Sequence, residues 1–390
     1  MRKEDRSVAF KQSLQARGIE MSSLCDAALK ASYAGKDAQI CAFGSLVEGY
    51  GNCASDIDLY EYGSDELRRS EHGQKRAVES EGLFFDLLYL DRSEIRTLVD
   101  KLRAQHISPV RFRKLAMLFN AAERRILHIV ANGLPITGPH PSQIAVPPLR
   151  NEELSNHGVA YSRYHIHNSQ VDLTGMLSAR DFASAHLVML SLLGNLADLI
   201  AAKEGLSDPI EKWRMRKLSR ISSRWQDQLP GPGPSTDSDA ILRDLHLGAA
   251  EFLRSQDMRC LFNALALARQ VLLAVDLNFE GMASRCSIGC DWRSEAKPYN
   301  PMPDLRIDAA VFIADGAARL VALSDPRRSI YFPAEEAHLL TLFDARYSVI
   351  EAEDSAAEMH PDQGSARLRE LRRLVQETGL LAGPLSECYT

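Results

Sequence analysis

Apolar and polar positions over the first 140 residues follow patterns that predict a unit of mixed helices and strands. A polar, amphipathic segment at residues 9–32 has helical periodicity. Apolar residues recur at helical spacing over residues 109–133, where a final Asn-Gly pair gives a stop signal. The proline-rich residues 134–150 predict a linker. Between the two helical patterns, three short apolar runs predict strands: "AQICAFG", "SDIDLYEYG" and "GLFFDLLYLD".

From residue 150 to about residue 285 the apolar positions fall at helical spacing, which predicts a helical bundle. Residues 181–206 have an almost wholly apolar body that ends at Gly205. Residues 209–225 begin with a proline, as helices often do, and are strongly basic. The Pro- and Gly-rich residues 229–239 predict a loop. Two further helices are predicted at residues 240–256 and 258–277.

The last part of the chain combines strand and helix patterns. Apolar runs separated by Asp-Gly and Asp-Pro turns predict two or three strands, followed by a helix from Pro333. Residues 365–381 predict a basic amphipathic helix. A strand hairpin with helices predicts a small α+β unit that resembles a winged helix. The chain is therefore expected to contain three domains, at residues 1–140, 150–285 and 300–390.

Composition narrows the class of protein and its partners. The chain has 390 residues, which suits two or three domains, and 45% of them are hydrophobic. A net charge of −6 gives no general attraction to nucleic acid or anionic lipid, so a long polynucleotide is disfavoured as a partner. No membrane span is expected, and seven scattered cysteines argue against a disulfide framework. We therefore expect a reduced, cytoplasmic protein.

Two aspartates, Asp56 and Asp58, stand one residue apart at the start of a predicted strand. Residues two apart on a strand face the same side, so the two carboxylates are expected to repel each other, while Ile57 and Leu59 face a core. A bound divalent cation removes this conflict, and aspartate oxygens suit Mg²⁺. Asp86 lies within another apolar strand, where an isolated charge is costly. If the two strands are neighbours, the three aspartates form a triad that can hold two metal ions for in-line phosphoryl or nucleotidyl transfer.

Gly44 and Ser45 follow the first apolar strand. Gly44 lets the backbone approach an anion closely, and Ser45 is expected to begin a short helix whose N–H groups bind phosphate. The competing interpretation is structural: a Gly-rich turn, solvated aspartates, and a buried Asp86 whose hydrogen bonds are satisfied within the fold.

The order of these pieces resembles the DNA polymerase β-like nucleotidyltransferase superfamily. An apolar strand precedes the Gly-Ser pair, a spacer of about ten residues leads to Asp56 and Asp58, and Asp86 follows in a later apolar strand. The resemblance covers residues 36–95. It implies a catalytic core with a mixed sheet, ATP or another nucleoside triphosphate as donor, and two Mg²⁺ ions, for which Mn²⁺ can substitute.

The resemblance also assigns roles to these residues. Asp56 and Asp58 would ligate both metal ions, and Asp86 would ligate the catalytic ion and help deprotonate the acceptor hydroxyl. Ser45, with the backbone at Gly44, would contact the terminal phosphates. The helical segment that follows is similar to the second domain of antibiotic and minimal nucleotidyltransferases, in which a basic helix faces the triphosphate. The candidates for that contact are Lys212, Arg216 and Lys217, of which Lys212 and Arg216 share a face at i, i+4 spacing.

The residues leave the acceptor open. The favoured function transfers a nucleoside monophosphate to a hydroxyl or phosphate of a small molecule, peptide or protein. One alternative is a synthase of a nucleotide second messenger or short oligonucleotide, and another is a non-catalytic, antitoxin-like binding protein on the same scaffold. The C-terminal unit is expected to bind a peptide or protein partner, and its candidate contacts are Arg367, Arg369, Arg372 and Arg373.

Overall fold

Two units make up the chain in the computed structural model. The first contains Met1–His106, Met117–Ser155 and Ser207–Trp213, and the second contains Ile107–Ala116, Asn156–Leu206 and Arg214–Thr390. The structure describes residues 3–33, 39–52, 54–63, 70–104, 112–137, 149, 151–206, 211–221, 250–255, 261, 265, 268–269, 271–273, 304–314, 316–343 and 348–382.

Helices and strands alternate in the first third of the chain, helices follow, and a second group of strands comes later. The strands are β1 (Gln39–Phe43), β2 (Asp58–Gly63), β3 (Lys75–Ser80), β4 (Leu83–Asp91), β5 (Leu134–Thr137), β6 (Ala309–Ala314), β7 (Ala317–Ala322) and β8 (Ser329–Pro333). The α-helices are α1 (Lys3–Gln15), α2 (Met21–Ala31), α3 (Arg92–Arg103), α4 (Phe112–Ala116), α5 (Ala121–Asn132), α6 (Asn151–Ser178), α7 (Phe182–Lys203), α8 (Arg214–Ser219), α9 (Val349–Met359) and α10 (Gly364–Glu377). Two 3₁₀ helices are Glu211–Trp213 and Ala334–Leu342.

The first unit is built on a five-stranded sheet in the order β3-β4-β2-β1-β5. Strand β2 runs parallel to β4, and the other neighbouring pairs are antiparallel. The sheet is therefore mixed and the fold is α+β, as predicted. The three strands predicted from the apolar runs are confirmed as β1, β2 and β4.

Helices cover both faces of this sheet. Side chains of α1 and α2, such as Phe10 and Leu24, pack with Leu59 and Leu87 on one face. Side chains of α3 and α5 pack with Tyr60 on the other face. Because side chains alternate along a strand, the first residue of β2, Asp58, points to the face that α3 and α5 cover.

Several predicted elements have different bounds in the structure. The single helix predicted at residues 9–32 is α1 and α2, because the chain turns at Gly18, which has a φ of +69°. The helix predicted at residues 109–133 is α4 and α5. Asn120 begins α5 with a capping box, in which its side chain accepts a hydrogen bond from the N–H of Glu123, and this cap stops α4 from continuing.

The sequence pattern does not predict strands β3 and β5. Residues 134–137 fall in the predicted linker, but Leu134 pairs with Ala42 and extends the sheet as β5. The short length of β5 and its proline hide the strand pattern in the sequence. Residues 138–148 and 150 of the predicted linker lie outside the described residues.

Helix α7 forms the centre of the second unit. Its side chains Leu192, Leu193 and Leu196 are fully buried in a cluster that also contains residues of α6 and α8. The apolar stretch of α7 is long enough to cross a membrane by length and composition, but 61% of it is buried inside the structure. An apolar helix that is mostly buried is typical of a protein core and is consistent with a soluble protein. The cytoplasmic location stays a prediction.

The predicted helices at residues 240–256 and 258–277 are described only in part. Residues 250–255 are helical, as are the described residues between 261 and 273. Phe252, Leu261 and Leu265 join the cluster around α7. The predicted loop at residues 229–239 lies outside the described residues.

A three-stranded antiparallel sheet in the order β6-β7-β8 confirms the predicted strands near the C-terminus. The helix predicted from Pro333 is a 3₁₀ helix, and most of its residues are buried. Helix α10 is confirmed, and α9 precedes it. This sheet and the two helices share a second cluster of buried apolar side chains. The winged-helix assignment and the division into three domains stay predictions.

Three of the four arginines predicted to contact a partner at the C-terminus bind glutamates of the protein itself. Arg367 lies 2.5 Å from Glu336, and Arg369 lies 2.7 Å from Glu353. Arg373 bridges two glutamates of its own helix, Glu370 and Glu377. These ion pairs reduce the attraction of this helix for a polyanion. Peptide or protein binding by this region stays a prediction.

His167 on α6 makes the stability of the second unit sensitive to acid. Burial first, and then the charge of Arg163, lower the pKa of His167 against an opposing hydrogen bond with Gln170, and the pKa is about 3 as a result. The unfolded chain has an ordinary histidine pKa of about 6.5. Below that pH the unfolded state binds a proton that the folded state refuses, so the free energy of unfolding falls as the pH falls from about 6.5 to about 3.

We expect His167→Gln to reduce this acid sensitivity. Between pH 7.5 and 5.0, the wild-type protein should lose about 2 kcal/mol of unfolding free energy through this histidine, and the variant should keep it. Urea unfolding at the two pH values measures the difference. His186→Gln, at a partly exposed position on α7, controls for the loss of a histidine. An unchanged pH dependence in His167→Gln would show that this imidazole does not carry the effect.

Candidate functional site

The loop after β1 approaches the carboxylate of Asp58. Phe43 ends β1 opposite Asp58, the first residue of β2. The next residue, Gly44, has a φ of +79°, and a Cβ built there would lie 2.5 Å from Oδ2 of Asp58. Glycine is therefore required twice at this position, for its backbone conformation and for the close approach. The predicted approach of Gly44 to a bound phosphate stays a prediction.

Residues 45–49 form hydrogen-bonded turns and not the short helix that was predicted to begin at Ser45. The carbonyl of Ser45 accepts hydrogen bonds from the N–H groups of Tyr50 and Gly51, both at 2.8 Å. These bonds fold the chain back before a helix can continue, so phosphate binding by a helix N-terminus does not apply here.

The strands of Asp58 and Asp86 are neighbours, which is the condition for the predicted metal site. The two aspartates stand opposite each other in the parallel pair β2–β4. Nζ of Lys75, at the start of β3, lies 2.8 Å from Oδ1 of Asp58 and 2.6 Å from Oδ2 of Asp86. One ammonium group therefore bridges the two carboxylates. Asp56 lies in the segment before β2, and its side chain is exposed.

The loop after β1 and the carboxylates of Asp56 and Asp58 line a cavity of about 130 Å³ within the first unit. Asp86 is not among its lining residues. The lining contains acidic and basic side chains and thus suits a ligand with a polyanionic part and a cation. The predicted site residues that line it are Gly44, Ser45, Asp56, Asp58 and Lys212.

Burial raises the pKa of Asp58, and the charges of Asp86 and Asp56 raise it further, whereas Lys75 opposes them. Burial also lowers the pKa of Lys75, but its hydrogen bonds to the two aspartates outweigh this effect and leave that pKa above its usual value. Lys75 is thus held as an ammonium ion, yet its single charge does not fully compensate the carboxylates around Asp58.

The carboxylate oxygens at this site are the type of ligand that a hard divalent cation prefers. Asp58 and Asp86 are close enough to share one positive charge, and Mg²⁺ prefers carboxylate oxygens. Asp56 lines the same cavity as Asp58 and can supply a third carboxylate. Within the described ranges, no group of three or more His, Cys, Asp or Glu side chains is already arranged around a common metal position. The ammonium group of Lys75 occupies the position between Asp58 and Asp86.

A largely buried network of hydrogen bonds joins three side chains that line the cavity. Nε2 of His128 on α5 lies 2.9 Å from Oε1 of Glu48, and Nδ1 of the same ring lies 3.0 Å from Nδ2 of Asn132. Because the amide of Asn132 donates to Nδ1, the proton of the neutral ring is on Nε2 and points to Glu48. This network connects the turn after Gly44 to α5, and all three side chains line the cavity.

Lys212 is the predicted phosphate contact that the structure brings to the cavity. It is exposed, and its Nζ lies 5.1 Å from the ring centre of Trp213, which stacks on Tyr50 at 6.1 Å. This stacking positions the short 3₁₀ helix of Lys212 in the first unit.

Arg216 and Lys217 belong to the second unit and do not line the cavity. Arg216 is exposed on α8, whereas Lys217 is fully buried. The basic segment is a 3₁₀ helix that is followed directly by α8. The shared face of Lys212 and Arg216 stays a prediction. Arg214 begins α8 and binds Asp198 at 2.7 Å.

A larger cavity of about 550 Å³ adjoins the first one. Phe43, Lys75, Arg125 and Ile129 line both cavities. The larger cavity is mostly apolar, but Glu94 and Glu123 also line it. It offers room for an organic group beside the carboxylates.

Sequence reasoning missed Lys75, Arg125 and the network of Glu48, His128 and Asn132. The signal for Lys75 was weak: β3 alternates between exposed and half-buried residues, and a turn with positive φ at Glu81 and Gly82 joins it to β4. That hairpin would have placed β3 next to the strand of Asp86.

No protein-family model matches this chain, and no curated protein sequence matches it.

Proposed function

We propose that the protein is a Mg²⁺-dependent nucleotidyltransferase with a core of the DNA polymerase β-like type. It would transfer a nucleoside monophosphate, with AMP from ATP as the first case, to a hydroxyl or phosphate group of a small-molecule, peptide or protein acceptor. One observation carries the proposal: Asp58 and Asp86, on neighbouring parallel strands, share a single cation beside a glycine loop that approaches Asp58.

The acidic side chains would act on the metal and the acceptor. Asp56, Asp58 and Asp86 would hold Mg²⁺, which would neutralise negative charge on the triphosphate. Asp86, which lies beside Asp58, would also take the proton of the acceptor hydroxyl. The acceptor oxygen would then bond to the α-phosphorus as the bond to pyrophosphate breaks.

The basic side chains would act on the phosphates. Lys212 and Arg125 line the cavity and are exposed, so both can reach the β- and γ-phosphates of a bound triphosphate. The hydroxyl of Ser45 and the backbone at Gly44 would contact the same groups. The adjoining cavity of about 550 Å³ would then receive an organic part of the donor or acceptor.

The test is incubation of the purified full-length protein with each of the four α-labelled nucleoside triphosphates, Mg²⁺ and a cell extract. We expect a labelled product and an equal amount of pyrophosphate, and neither with EDTA. Mass spectrometry then identifies the acceptor. A product formed from nucleoside triphosphates alone would favour a second-messenger or oligonucleotide synthase. Absence of both products and of Mg²⁺-dependent triphosphate binding by calorimetry would contradict the proposal and favour a binding protein.

A further inference from the structure

We propose that Lys75 is a built-in counter-ion of the carboxylate site, and that its ammonium group leaves Asp58 and Asp86 when a divalent cation binds there. This inference rests on the proposed function, because it concerns the same metal site. It adds a step that the resemblance to the superfamily does not imply, because the metal ion must displace a side chain of the protein itself before it can bind.

The bridge made by Lys75 places its charge where a cation would bind. Its Nζ lies within 2.8 Å of one oxygen of Asp58 and within 2.6 Å of one oxygen of Asp86. Two positive ions cannot share these oxygens at short range without strong repulsion. Lys75 therefore cannot bridge the two aspartates while a metal ion is bound between them.

The position of Lys75 in the sheet allows its side chain to leave. Strand β3 is at the edge of the sheet, and Lys75 is its first residue. The lysine side chain is 36% exposed, against 17% for Asp58 and 22% for Asp86. A long, partly exposed side chain on an edge strand can change rotamer without disturbing the core.

Each of the two cavities would offer the released ammonium group anionic partners. Lys75 lines both of them. On the side of the larger cavity, Glu94 and Glu123 are the carboxylates among the lining residues. On the side of the smaller one, the ammonium group would face the phosphates of a bound triphosphate. Displacement by metal would thus turn a charge that blocks the site into one that binds substrate.

The consequence is a reduced apparent affinity for metal. Only molecules in which Lys75 has left the aspartates can bind the ion, so the apparent dissociation constant rises by the inverse of their fraction. Removal of the ammonium group should remove this competition. We expect Lys75→Met to bind Mn²⁺ about tenfold more tightly than the wild-type protein.

The test is calorimetric titration of the full-length protein with Mn²⁺ alone, without nucleotide. Lys75→Arg, which keeps the charge, should bind like the wild type. Lys30→Met is the matched control, because Lys30 pairs with Glu81 at 2.5 Å in an exposed position. Its affinity should also remain at the wild-type value.

A second measurement uses the wild-type protein and so does not depend on the folding of a variant. Acetylation of individual lysines by a water-soluble reagent is followed by mass spectrometry, with and without Mn²⁺. We expect the modification rate of Lys75 to rise several-fold when Mn²⁺ is added, since the ammonium group is released, and that of Lys30 to stay constant.

The outcomes separate this inference from the proposed function. Equal Mn²⁺ affinity of wild type and Lys75→Met, with no change in acetylation of Lys75, overturns the role of Lys75 and leaves the metal site intact. If neither protein binds Mn²⁺, the metal site fails, and both proposals fail with it.

Discussion

Replacement of Asp58 by asparagine is expected to lower nucleotidyl transfer by at least about 10³-fold and to leave the protein folded. Asp58 contacts each part of the candidate site, because it lies beside the Gly44 loop, opposite Asp86 and next to Lys75. Asparagine keeps the shape of the side chain but removes the charge that a metal ion requires. Transition-state stabilisation by the metal is worth several kcal/mol, and each 1.4 kcal/mol of it is about tenfold in rate.

The fold should tolerate this change because Asp58 is a partly buried charge near other carboxylates. Burial and those carboxylates raise its pKa, so removal of the charge relieves an unfavourable interaction while the bridge to Lys75 is weakened. Far-ultraviolet circular dichroism and thermal unfolding check that the variant is folded. Asp100→Asn, on the exposed face of α3, is the matched control and should keep wild-type activity. Wild-type activity in a folded Asp58→Asn protein would show that the chemistry takes place elsewhere.

The backbone of the candidate site was predictable because local patterns determine it. Apolar runs defined β1, β2 and β4, and the period of two along a strand placed Asp58 away from the core residues Ile57 and Leu59. The neighbouring position of Asp58 and Asp86 followed only on the condition that β2 and β4 pair, and the structure meets this condition.

What the sequence did not predict depends on contacts between distant segments. Lys75 belongs to a polar edge strand, and its role becomes visible only when β3 pairs with β4. His128 is an apolar-face residue of α5 by spacing, and its bond to Glu48 joins residues 80 positions apart. The break before α5 depends on the cap at Asn120, a local signal that the helical periodicity on both sides concealed.

The basic segment after α7 also depends on contacts with distant residues as well as on its local pattern. Periodicity alone favours one helix for Lys212 and Arg216, but two side-chain contacts fix different parts of the segment. Trp213 stacks on Tyr50 in the first unit, and Arg214 binds Asp198 in the second. Successive residues are thus held by different units at the point where the 3₁₀ helix is followed by α8.

Replacement of Gly44 by alanine is the second large effect that we expect. The φ of +79° is costly for any residue with a Cβ, and the added Cβ would lie 2.5 Å from Oδ2 of Asp58. The strained backbone and the clash together should lower the free energy of unfolding by about 2–4 kcal/mol. The carboxylate can avoid the clash only if it moves, and this would disturb its pairing with Lys75 and its place in the cavity. Nucleotidyl transfer should therefore fall by at least about 10²-fold in the protein that remains folded.

Gly82→Ala separates the two causes. Gly82 has nearly the same backbone conformation, with a φ of +73°, but outside its own chain neighbours no atom lies within 4 Å of the position that a Cβ would take there. This control should lose only the cost of the backbone, about 1 kcal/mol, and keep its activity. Urea unfolding and transfer assays on the two variants measure the difference. If Gly44→Ala behaves like Gly82→Ala in both assays, the close approach to Asp58 has no functional role. If the extra loss appears in Gly44→Ala alone, it arises from the contact between the loop and the carboxylate, which is the geometry on which the proposed triphosphate site depends.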